Sequence, residues 1–199
     1  MKLLLAATIV LMLSAIAIAV PDNQQLGPYA VSFDLNANYQ PQIGQPIETE
    51  TSNAYQMRLF VDNSTFAAIG ITEYAEPTDS TLMVFKSMLP MSMMLQGLNV
   101  TNVEDMTIDG KEGFLVTSNP LEAIAGAPSS VYRAMYWLDS QGCECGPLSV
   151  GKTSVVITST FPQDVTESLL SSLQIVKGEA AASAQPAPTT QGGQVMPPA

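Results

Sequence analysis

The dipeptide Asp109-Gly110 places the tightest constraint on what this chain can fold into. Both residues tolerate the positive φ angles of a two-residue hairpin turn. The runs Val103 to Ile108 and Glu112 to Ser118 flank the turn, so an antiparallel pair is expected there. The same grammar recurs along the chain. Tyr29 to Leu35 reads as a first strand, and Tyr55 to Val61 as a second, with Met57, Leu59 and Val61 on one face. Asp62-Asn63-Ser64 is turn chemistry, and Phe66 to Tyr74 returns to close another hairpin. Val131 to Asp139 and Thr153 to Thr160 are two further strands, joined through the loop from Gly142 to Gly151. The polar stretch Asn36 to Ser52, with Pro41, Gly44 and Pro46, reads as a long loop.

Two segments change period from two to that of a helix. Thr78 or Asp79 is a suitable cap for a helix from about Ser80 to Gly97, with Leu82, Phe85, Leu89, Met93 and Gln96 along one face. Pro90 lies inside it and supplies no N–H, so a kink or two short helices are expected, with Gly97 as the stop. Pro162 starts a second helix in which Val165, Leu169, Leu173 and Val176 form the buried stripe. The order is three strands, helix, four strands, helix. Short connections then favour an α+β domain over residues 28–177: a mostly antiparallel sheet of about six to seven strands carrying two packed helices.

The ends of the chain read differently. Leu3 to Val20 is apolar apart from Thr8 and Ser14, and Ala17 and Ala19 are the small residues a signal peptidase requires. Cleavage after Ala19 is the simplest reading. The run is also long enough to span a bilayer as an uncleaved anchor, and that alternative stays open. Residues 1–19 are thus a signal peptide or an N-terminal membrane anchor, and the domain is extracytoplasmic, secreted or anchored. Residues 178–199, rich in Ala, Pro, Gln and Gly, have almost nothing bulky to bury and read as a disordered tail.

Composition narrows the chemistry. The 199 residues contain no histidine, which removes imidazole-based nucleophile systems and histidine-containing zinc sites. A net charge of −11 with scattered basic residues makes nucleic acid a poor partner. Cys143 and Cys145, flanked by Gly142 and Gly146, are the only cysteines. Outside the cytoplasm they favour a small structural disulfide, with soft-metal binding or redox activity as alternatives. Met88, Met91, Met93 and Met94 offer thioethers that could bind Cu(I), although methionines at helical spacing more often pack a core or meet a partner. Asn63 and Asn99 begin N-glycosylation sequons.

The segment Met106-Thr107-Ile108-Asp109-Gly110-Lys111-Glu112-Gly113-Phe114-Leu115 and the strand Tyr132-Arg133-Ala134-Met135-Tyr136-Trp137 resemble those of PsbP-like proteins. So does the ending from Ser159-Thr160-Phe161-Pro162 to Leu169-Leu170-Ser171-Ser172-Leu173-Gln174-Ile175. The resemblance implies a central antiparallel sheet sandwiched by helices. It also implies membership of a group made up mostly of non-enzymatic accessory and binding proteins. The expectation is therefore an exported, non-catalytic accessory or binding protein without a cofactor, meeting an envelope or membrane protein. The alternative is an extracytoplasmic copper-handling protein using Cys143, Cys145 and the methionine cluster.

Overall fold

A computed structural model describes residues 22–78, 80–122, 128–141 and 148–178. The expected leader, Cys143 and Cys145, and the tail beyond Gly178 lie outside the described residues. The chain begins with β1 (Asp22–Leu26), β2 (Tyr29–Phe33), β3 (Gln40–Ile43), β4 (Ile47–Glu48), β5 (Ser52–Phe60) and β6 (Phe66–Tyr74). Helix α1 (Leu82–Leu95) follows, then β7 (Leu98–Ile108), β8 (Lys111–Pro120), β9 (Val131–Trp137) and β10 (Ser140–Gln141). The last elements are β11 (Val150–Gly151), β12 (Thr153–Ser159), α2 (Gln163–Ser172) and β13 (Gln174–Lys177).

Every pairing among the described strands is antiparallel. The main sheet has eight strands rather than the six to seven expected, in the order β3-β5-β6-β12-β9-β8-β7 with β4 alongside β5. Two of its hairpins, β5–β6 and β7–β8, are those the turn chemistry indicated. Asp109 and Gly110 both take positive φ, 52° and 67°, between β7 and β8. At the β5–β6 turn the Asp62 carboxylate accepts from the Ser64 and Thr65 amides at 2.8 Å each. The Ser64 hydroxyl, which also donates to this carboxylate at 2.8 Å, and the two amides together hold its pKa below the usual carboxylate value.

The central strands are buried on both faces, and alternation sorts their side chains into two cores. Leu115, Ala134, Tyr136, Val155 and Ile157 face one side with Met57, Leu59, Ile69 and Ile71. On that side they meet α2 through Leu169 and Leu170, Leu173 just beyond its end, and the small strands through Leu26, Val31 and Ile175. Phe114, Val116, Met135 and Trp137 face the other side, under Leu82 and Met93 of α1. The layers are therefore α1, the eight-stranded sheet, and a third layer made of α2 with a three-stranded sheet.

That three-stranded sheet, β1-β2-β13, departs from expectation. The strand expected from Tyr29 to Leu35 joins this separate sheet, and β1 precedes it with the register Leu26↔Tyr29. The second helix was expected to run through Val176, but it stops at Ser172. Leu173 is already extended, at φ −61° and ψ 130°. Gln174 to Lys177 pair with β2 as a strand, burying Ile175 and leaving Val176 63% exposed. Pairing with β2 there satisfies backbone groups that a frayed helix end would leave open.

The expected loop Asn36 to Ser52 holds β3 and β4, whose residues are all exposed. Exposed on every residue, these edge strands carry no alternation of buried apolar residues to mark them in the sequence. Pro41 sits opposite Leu59 on this edge strand, where a proline is tolerated. The cap of α1 is Thr81, whose hydroxyl accepts from the Val84 amide at 3.4 Å, rather than Thr78. Pro90 does not divide the helix, which is continuous through it.

Two backbone positions close the layers together. Gly27 (φ +59°) turns β1 into β2 against Tyr55, and a Cβ there would lie 2.3 Å from that ring. Asp109 reaches across from the β7–β8 turn: its carboxylate accepts from the Ile175 amide at 3.1 Å and from the buried Tyr136 hydroxyl at 3.4 Å. Burial raises the pKa of Asp109, against the opposing effect of these donors.

Two predictions follow from these contacts. Gly27→Ala combines a left-handed backbone with a clash and should cost more than about 2 kcal/mol in urea unfolding. Gly110→Ala, at φ +67° with open space around it, should cost only about 1–2 kcal/mol. Equal losses would mean that the contact with Tyr55 carries no weight. The pH prediction concerns Asp109, whose raised pKa means that the folded state holds the proton more firmly than the unfolded chain. Stability should therefore fall as pH rises through and above the ordinary value of 3.8, relative to Asp109→Asn, which cannot titrate. A difference that grows in favour of the wild type with pH would show a net-stabilised carboxylate instead.

Candidate functional site

The outer surface of α1 is the most unusual surface among the described residues. Its sequence, LMVFKSMLPMSMML, holds one charged residue, Lys86, and is apolar around almost the whole circumference. A helix of that kind is ordinarily covered on all sides. Here only one side is covered. Leu82 and Met93 are buried against Phe114, Val116, Met135 and Trp137, with Phe85 and Leu89 packed beside them. Phe85 meets the Trp137 ring edge-on at a centroid distance of 5.7 Å. The Trp137 indole N–H is buried without a partner among the described residues, so this core is held by packing rather than hydrogen bonding.

On the opposite side Val84, Met88, Met91 and Leu95 are exposed by 41%, 61%, 61% and 85%. Their spacing of four, three and four residues puts them in one straight seam. Met83 and Met94 flank it and are also exposed. Half of the exposed large hydrophobic residues of the described structure thus belong to this one helix. The apolar surface continues past both helix ends. Leu148 stands next to Ser149, whose carbonyl accepts from the Leu82 amide at 3.0 Å; Leu121 donates its amide to the Gly97 carbonyl at 3.0 Å. Both leucines are exposed.

The few polar groups on the helix are satisfied internally. The Ser87 hydroxyl donates to the Met83 carbonyl at 3.0 Å and that of Ser92 to the Leu89 carbonyl at 2.8 Å. Lys86 pairs with Asp105 of β7 at 2.6 Å, an exposed ion pair worth at most about 1 kcal/mol. Arg133 donates to the Gln96 side chain at 3.0 Å, and burial lowers its pKa. At the N-terminal end a shallow cleft is lined by Leu82, Asp105, Met106, Thr107, Glu112 and Gly113. No described helix is long and apolar enough to cross a membrane.

The methionines singled out from sequence divide accordingly. Met88, Met91 and Met94 lie outward, whereas Met93 lies inward and is fully buried, so the four do not share one face. The expected buried face is otherwise correct except for Gln96, which is exposed at the helix end and bound to Arg133. Among the described residues no group of three or more Cys, Asp or Glu side chains is placed to hold a metal ion. Asn63 is exposed in the β5–β6 turn, and Asn99 is exposed on β7, the last strand of the main sheet. Met88 and Met91 belong to the methionine cluster expected to pack a core or meet a partner, whereas Val84 and Leu95 of the seam carry no such marker in the sequence. The available signal was the absence of charge on the other face.

Truncation separates the two kinds of methionine. Met93→Ala should lose about 2–4 kcal/mol in denaturant unfolding, as buried methionines do, and Met88→Ala should stay within about 0.5 kcal/mol. Similar losses at both positions would mean that the outer seam is already packed in the isolated chain.

No protein-family model, curated protein or solved structure matches this chain.

Proposed function

We propose that this chain is an exported, non-catalytic accessory or binding protein of the cell envelope, of PsbP-like architecture. It meets another envelope or membrane protein through the outer face of α1. One observation carries the reading: a helix apolar on both sides is covered on only one. Leaving Val84, Met88, Met91 and Leu95 in water forfeits about 25 cal/mol for each Å² that a partner would cover. Methionine suits such a surface, since its flexible thioether adapts to the shape placed against it. The apolar segment Leu3 to Val20 supports an extracytoplasmic setting, either as a leader or as an anchor. The lack of histidine and of recognisable nucleophile or nucleotide motifs supports a non-catalytic role.

The test is site-specific photocrosslinking in native envelopes. A crosslinker at position 88 should give one dominant protein adduct, and one at position 61, an exposed valine in the β5–β6 turn, should not. Met91→Asp should remove the adduct. Equal yields from both positions, no adduct, or a hydrolase or transferase activity abolished by one point substitution would overturn the reading.

A further inference from the structure

We infer that the occupant of the α1 seam is a cationic amphipathic helix of a partner protein, which deepens the docking role proposed above and rests on it. Two independent features of the surface select it. The first is shape. Val84, Met88, Met91 and Leu95 repeat at the alternating four- and three-residue spacing by which one helix receives the side chains of another. Over 14 residues the helix is about 21 Å long, the span of four helical turns in a partner. Leu148 and Leu121 prolong the apolar track at either end.

The second is charge. The bases next to the seam are both engaged within the chain, Lys86 by Asp105 and Arg133 by Gln96. The carboxylate of Glu112, exposed in the cleft beside Leu82, forms no hydrogen bond or ion pair among the described residues, and Glu122 follows Leu121 at the other end. The chain as a whole carries −11, so its far field attracts cationic partners and repels anionic ones. A methionine-rich apolar track with carboxylates at its ends, on an acidic protein, is complementary to a helix with one apolar face and basic flanks.

The same features disfavour the other occupants. Two copies of a chain of this charge repel each other, which disfavours a self-complementary use of the seam. A bilayer reached through the N-terminal segment meets a geometric obstacle. The chain enters the domain at Asp22 of β1, in the layer on the opposite face of the main sheet from α1.

The experiment measures binding of the full chain to two synthetic helical peptides. Both carry leucines at the seam spacing; one has lysine flanks and the other glutamate flanks. The lysine peptide should bind at least about tenfold more tightly at low ionic strength, and the gap should shrink in 0.5 M salt as charges are screened. Met88→Asp should weaken it at least about tenfold, and the folded variant Met88→Gln by less. The pair Glu112→Gln and Glu122→Gln should weaken the lysine peptide alone. Equal binding of both peptides, lost in Met88→Asp, would overturn the charge assignment while leaving the docking face standing. Binding of neither peptide, or binding unaffected at Met88, overturns the inference, as does Met88-dependent self-association in sedimentation or Met88-dependent binding to phosphatidylcholine vesicles. The crosslink from position 88 then decides whether a docking face exists at all.

Discussion

Burial of the central strands on both faces is the constraint on which the rest of this structure depends. In β8 and β9 alternate side chains enter opposite cores: Phe114 and Val116 against Leu115, Met135 and Trp137 against Tyr136. Both faces of the sheet must therefore be covered, since antiparallel strands expose at most one face without loss. One face is covered by a layer of strands and a helix. The other is covered across β7, β8 and β9 by α1, whose outer face is largely apolar like its inner one.

The far layer is tied to the sheet by a few polar contacts placed where chain segments meet. Asp109 holds the amide of Ile175, and Glu73 of β6 pairs with Lys177 of β13 at 2.5 Å while accepting from Tyr29 of β2 at 3.3 Å. The hydrogen bond from Lys177 is the main cause of the lowered pKa of Glu73. Such exposed ion pairs add little stability, so their value is in register, fixing where the short strands lie over the sheet.

Legibility followed local chemistry. The β7–β8 hairpin was readable because Asp109-Gly110 admits few backbone conformations, and β5–β6 because Asp62 can bind the amides that follow it. The inner face of α1 was readable from helical spacing. The strand β13 was not: Leu173 to Val176 continues a helical pattern, and only the free edge of β2 turns those residues into a strand. The edge strands β3 and β4 were hidden for another reason. They are exposed throughout, so no alternation of apolar residues marks them. The candidate site was half legible, as a methionine-rich helix whose core and surface members could not be told apart.

By itself, then, the sequence determined the β5–β6 and β7–β8 hairpins, the presence of the two helices and the lack of histidine. All of these depend on residues a few positions apart or on composition. Tertiary structure decided which strands form the second sheet, where α2 ends, and which methionines face water. Those outcomes depend on surfaces that exist only once distant segments have packed. Met93 and Met94 are neighbours in sequence and identical in chemistry, and only the position of the sheet beneath α1 makes one of them core and leaves the other exposed to solvent.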